Sequence, residues 1–275
     1  MVVALAAGLG LAACSSSATA PSTSSTTSTT AATSGGPPAA ILDAAKSSLA
    51  QDSADIRMAV SATVGTRTLG ITGTGTADLA NNAMQMTMVL HGVPAMDGTS
   101  LSTVIVDGTT YVSYPQISAV LPGKSWISEP STSSSTSGLQ VSNVSDMLRV
   151  LAARGAVVTK VGGGTIGSTP VTEYKVTLTP SSIASQESTL GVPATDTAEV
   201  QQLLGTSGVT FQVYVTSAGQ FRRLSLDLGV PASSSTPAVQ ESVVVDFTNY
   251  GTPVSVTAPP ASEVATAQQL QQAAG

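Results

Sequence analysis

Residues 83–90 read Ala83-Met84-Gln85-Met86-Thr87-Met88-Val89-Leu90. In an extended chain successive side chains point to opposite faces. Met84, Met86, Met88 and Leu90 therefore share one face, and Gln85 and Thr87 the other. This is a strand with one apolar side. Working outward, Leu101 to Val106 and Thr109 to Tyr114 are two β-rich runs separated by Asp107-Gly108. Asp-Gly suits a two-residue turn with both residues at positive φ, so a hairpin is predicted here. Upstream, Met58, Val60, Ala62 and Val64 alternate with Arg57, Ala59, Ser61 and Thr63, and a Gly/Thr-rich segment from Thr68 to Thr76 alternates Leu69 with Ile71. Downstream, the sets Tyr174/Val176/Leu178, Phe211/Val213/Val215, Leu224/Leu226/Leu228 and Val243/Val245/Phe247 repeat the pattern, with turn residues at Ser217 to Gly219. Gly162-Gly163-Gly164 lacks the Lys-Ser/Thr ending of a phosphate loop and reads as a turn.

Helical periodicity interrupts this meander. A first helix is predicted from near Pro38, with Ile41, Leu42, Ala45 and Leu49 on one face. Asn143 or Ser145 can cap a short helix carrying Met147, Leu148 and Leu151 and ending at Gly155. Thr195 or Asp196 can cap another with Val200, Leu203 and Leu204, ending at Gly205. Pro180 suits a first helical position, so a further turn is expected within 180–190. Residues 129–138 read as a Ser/Thr loop. The last residues, from Ala261, are Ala/Gln-rich and are expected to be helical or frayed. The fold class that follows is α+β: a large curved antiparallel sheet, a half-barrel, with a few helices packed across its concave face. Few, short helices need not fill the hollow of a curled sheet. A gap left there would be lined by aliphatic side chains.

The N-terminus carries a different signal. An apolar run from Val2 to Leu11 leads to Leu11-Ala12-Ala13-Cys14, and Cys14 is the chain's one cysteine. An apolar segment, small residues and then a cysteine form a bacterial lipoprotein signal. The cysteine thiolate takes the lipid. No Lys or Arg precedes the apolar run, so the usual basic segment is missing and a start codon upstream of Met1 is expected. Residues 15–36 are mostly Ser and Thr and end in Gly35-Gly36-Pro37-Pro38. Such a tract offers no core to offset the entropy of ordering. As a tether it would span roughly 30 Å root-mean-square. The expected location is the outer, extracytoplasmic face of the cell membrane, held by the lipid anchor.

Composition narrows the function. The chain has 275 residues, 9% charged and 3% aromatic, with a formal net charge of −6. Nucleic acid as a partner calls for basic patches and stacking platforms, which this balance lacks. A single cysteine allows no intrachain disulfide. His91 is the one histidine, and no Gly-x-Ser-x-Gly elbow is present, so no catalytic residue is assigned and the chain is not expected to be an enzyme. His, Cys and carboxylates do not cluster in the sequence, so no metal site and no cofactor are expected.

The chain resembles a family in several stretches. They are Val106-Asp107-Gly108 with Tyr111-Val112, Leu121-Pro122-Gly123-Lys124-Ser125-Trp126-Ile127, Val171 to Leu178, Val213 to Leu226 with Gly219-Gln220-Phe221-Arg222-Arg223-Leu224, and Phe247 to Pro260 with Tyr250-Gly251-Thr252-Pro253-Val254. With the lipoprotein signal, these resemble the actinobacterial lipoproteins of the LppX/LprG type, which share the LolA-like fold. The resemblance spans roughly residues 40 to 264. It implies a half-barrel of about eleven strands closed by helices over a hydrophobic cavity, and binding of acylated lipids or glycolipids for movement across the envelope. It also implies an envelope transporter as a partner. The domain reading is then signal peptide 1–13, tether 14–38, LolA-like lipid-binding domain 39–262 and polar tail 263–275.

Candidate ligand-binding residues follow from chemistry. Methionine is flexible and polarizable and adapts to apolar partners of variable shape, which singles out Met84, Met86 and Met88. Met147, Leu148 and Leu151, with Leu203 and Leu204, would form a lid, and Phe211 and Val213 would line the sheet. Ordinary core packing is the competing reading for each. Cys14 is the lipid-attachment residue. Two functions stay open: a lipid or glycolipid binder that carries its cargo, and an envelope interaction or sensor module with no cargo.

Overall fold

A computed structural model of the chain describes residues 39–130, 156–178, 209–230 and 238–274. Cys14, the tether, and the helices expected around 143–155 and 195–205 lie outside them, as do Met147, Leu148, Leu151, Leu203 and Leu204.

The first helix, α1 (Ala39–Leu49), buries Ile41, Ala44, Ala45 and Ser48. That stripe differs from the expected one. Ala44 and Ser48 are small enough to bring the helix backbone close to the sheet, and Leu42 and Leu49 flank the contact half-buried. Six strands follow: β1 (Ser53–Val64), β2 (Arg67–Asp78), β3 (Ala83–His91), β4 (Ser100–Val106), β5 (Thr109–Ser113) and β6 (Trp126–Pro130), with a single-turn helix α2 (Ile117–Val120) before β6. Five more form a second run: β7 (Val157–Ile166), β8 (Thr169–Leu178), β9 (Val209–Thr216), β10 (Phe221–Val230) and β11 (Val239–Thr248). A short β12 (Val264–Thr266) leads into α3 (Ala267–Ala274).

All twelve strands form one open, curved sheet in the order β12-β6-β5-β4-β3-β2-β1-β11-β10-β9-β8-β7. Two antiparallel meanders, β1 to β6 and β7 to β11, meet at the β1–β11 seam. The Asp107-Gly108 turn has both residues at positive φ and closes the β4–β5 hairpin as expected.

Three details correct the sequence expectations. Gly162-Gly163-Gly164 is not a turn: it pairs with Glu173, Thr172 and Val171 on β8, after a register shift between Lys160 and Gly162. Glu129 and Pro130 belong to β6, paired with Thr110 and Thr109, and not to a loop. The sheet also continues past residue 262. β12 pairs in parallel with Trp126, Ile127 and Ser128, and Ala265 is buried with Ile117 and Ile127. This twelfth strand raises the count above the eleven implied by the resemblance.

Candidate functional site

The registers align side chains into rows that run across the concave face. One row is Phe247, Ile56, Gly75 and Met86, on β11, β1, β2 and β3. The next is Val213, Leu224, Val245, Met58, Gly73 and Met88, from β9 to β3. A third is Phe211, Leu226, Val243, Val60, Ile71 and Leu90 over the same six strands. Met84 heads a shorter row with Ala77 and Ala54. Between β9 and β3 no charged side chain stands in these rows; the second continues through Tyr174 on β8 to the exposed Lys160 on β7.

Burial falls off along the strands. Near α1, Phe247, Phe221 and Ile41 are fully buried and form one cluster with Ile56 and Met86. Removing side chains of this size from water stabilises the fold by about 1.5–3 kcal/mol each. Farther from α1, in the third row, all six side chains are only half-buried. The inner face is thus a trough, closed by α1 at one end and less covered toward the β1–β2 turn at Gly65.

The sequence candidates within the described residues share this face. Met86 and Val213 are buried, and Met84, Met88 and Phe211 pack half-buried against the same cluster. The structure therefore places on one face β3 and β9 side chains whose strands have four others between them in sheet order.

Gly73 and Gly75 were not among the candidates, yet they shape the trough. A Cβ on Gly73 would lie 3.0 Å from the Met86 sulfur and 3.0 Å from Met88 Cγ. The methionines thus lie over β2 in space that its glycines leave free. A Cβ on Gly75 would clash with the Gln85 carbonyl oxygen and fall 2.8 Å from Met86 Cα. Here glycine is required by the closeness of β3 backbone. The signal was present as Gly73-Thr74-Gly75, but its meaning depends on what β3 places opposite.

Polar groups hold the closed end. The Phe221 N–H donates to Ser48 Oγ at 2.9 Å, and the Tyr250 hydroxyl donates to the Phe221 carbonyl at 2.8 Å. Both groups of the Phe221 peptide are satisfied where the β9–β10 pairing is shifted. Burial pushes the Tyr250 hydroxyl well above its usual range, so it stays protonated and can donate.

The convex face carries an ion-pair cluster. Arg223 makes two hydrogen bonds to Asp246, Nε at 2.6 Å and Nη2 at 2.8 Å, and Arg222 Nη1 lies 3.3 Å from the same carboxylate. Burial alone would raise the Asp246 carboxyl. The Arg223 hydrogen bond, then the charges of Arg223, Arg222 and Arg57, outweigh it and hold the group below the usual carboxylate range. No group of three or more metal-ligating side chains occurs among the described residues.

A separate open groove of about 350 Å³ lies at the β12 edge, lined by Leu121, Lys124, Ala265, Gln269, Gln272 and Ala273. Lys124 Nζ there donates to the Ser262 carbonyl at 2.8 Å. None of the sequence candidates lines this groove.

No family model matches the chain, and no curated protein matches it in sequence. Solved structures with a similar fold include LprF from Mycobacterium bovis, 15% identical, covering 82% of this chain and 98% of LprF with a TM-score of 0.45. They also include the Mycobacterium tuberculosis lipoprotein LppX, 14% identical, covering 80% of this chain and 100% of LppX with a TM-score of 0.45.

Proposed function

We propose that this chain is a membrane-anchored envelope lipoprotein that holds the acyl part of a lipid or glycolipid in the trough and carries it across the envelope. The observation that carries the reading is the third row. Phe211, Leu226, Val243, Val60, Ile71 and Leu90 form an uncharged apolar strip that stays half-buried. From β9 to β3 it crosses five inter-strand spacings, about 24 Å along the arc. An extended acyl chain fits that length. Directionless apolar contact suits such a ligand, and methionines at the border of the strip let the wall adjust to chain shape.

In this reading, residues 14–38 tether the domain to a lipid on Cys14, and Met147, Leu148, Leu151, Leu203 and Leu204 cover the trough. Met84, Met86, Met88, Phe211 and Val213 line it. An envelope transporter is the expected partner. Replacement of Cys14 by Ser should abolish incorporation of labelled palmitate. Incorporation that persists would remove the anchor from the account.

Val243→Trp tests the trough. Val243 sits mid-strip between Val60 and Leu226. If the strip faces a hollow, the indole fills it, and uptake of a fluorescent acyl probe should fall at least about fivefold while the melting temperature is retained. If the site is close-packed, overpacking costs about 1–3 kcal/mol. A destabilised variant of a wild type that takes up no probe would leave a cargo-free interaction module.

A further inference from the structure

Along the concave face, the first charge beyond the apolar rows is Glu241. Its register partners are Ala62 on β1 and Leu228 on β10, and Ala62 in turn faces Leu69 on β2. β11 runs without a register shift from Val239 to Thr248 against β1. Glu241 therefore shares the face of Val243, Val245 and Phe247, one row beyond the half-buried strip. It is itself half-buried. Among the described residues no hydrogen bond or ion pair engages its carboxylate. The other charges that the registers place on this face are exposed: Arg67, one row farther out and paired with Val64 beside the Gly65 turn, and, toward the two margins of the sheet, Lys160 on β7 opposite Tyr174 and Glu129 on β6 opposite Thr110.

We propose that Glu241 selects the head group: it accepts hydrogen bonds from an uncharged, hydroxyl-bearing head group at the mouth of the trough and excludes a phosphate. This inference rests on the trough holding an acyl chain. An acyl chain that enters at the less covered end, near the Gly65 turn, and bends into the third row leaves its polar end at the row where polarity begins, on β11 beside Ala62 and Leu228. A carboxylate there is a hydrogen-bond acceptor only. Two like charges roughly 4 Å apart weaken binding about fivefold in water, and more beside a low-dielectric wall. Arg67 offsets this little, because it is exposed and its field is screened by salt.

The test uses the full chain and two fluorescent probes with identical acyl chains, dioleoylglycerol and dioleoylphosphatidic acid, each offered from dioleoylphosphatidylcholine vesicles. The quantity read is the ratio of neutral to anionic uptake. Wild type should favour the neutral probe. Glu241→Gln and Glu241→Ser should each lower the ratio at least about fivefold, by raising phosphatidic acid uptake and by weakening the hydrogen bond to the neutral head group. A ratio unmoved by both substitutions, or a wild type that favours phosphatidic acid, would overturn the role of Glu241 and leave the trough standing. Loss of the fold in both variants would make Glu241 structural and overturn it too. Uptake of neither probe by wild type would overturn the trough and the selection together.

Discussion

Gly73 and Gly75 occupy neighbouring inward positions on β2 and do different things. Gly73 leaves room for the flexible ends of Met86 and Met88, whereas Gly75 lies against β3 backbone. Side-chain tips can move, but a carbonyl within a ladder cannot. Gly75→Ala should therefore destabilise the protein by about 2 kcal/mol or more, and Gly73→Ala by less than about 1 kcal/mol. Urea unfolding midpoints measure the difference, and equal losses would mean that the strand spacing is not what demands glycine. The methionine face was legible in the sequence because an alternation of period 2 has one reading. The glycines were not, since their role is set by a partner strand, and register is not written in either strand alone. Ser48 was missed for a similar reason. A serine in a helix reads as polar surface, yet its hydroxyl meets the Phe221 N–H of a strand 173 residues away.

Strands with clean alternation were legible as elements, and the Asp107-Gly108 hairpin was legible to the residue. β12 was not. Three residues give no period, and what makes Val264–Thr266 a strand is parallel pairing with β6, far away in sequence. Gly162-Gly163-Gly164 misled because glycine punctuates most chains, whereas here the run lies in β7, at the margin of the sheet. Between elements, Asp246 ties β11 to β10 on the convex face through Arg223. Its carboxyl is held below its ordinary range in the folded state. Its contribution is thus fully present above the unfolded-state value, about 3.9. It is lost as pH falls through that value toward the lower folded one. The wild type should lose urea resistance more steeply below about pH 4 than Asp246→Asn does. Parallel acid limbs would show that the Arg223 pair adds nothing to acid stability.

At the scale of the molecule, two meanders joined at the β1–β11 seam make a sheet wide enough to curl, with α1 closing one end of its hollow. The fold class was legible because many alternating strands and few helices leave one solution, an α+β half-barrel with helices on the concave face. The cargo was less legible. Apolar contact carries no direction, so the same Met, Val and Leu pattern serves a packed core and an acyl trough alike. Only the fall in burial from Phe247 to the Val243 row separates them. The central claim is that the trough holds lipid, and native mass spectrometry of the purified full chain tests it most directly. The account predicts a non-covalent adduct of lipid mass that leaves on collisional activation and returns on incubation with lipid extract. A bare protein mass before and after that incubation would contradict it.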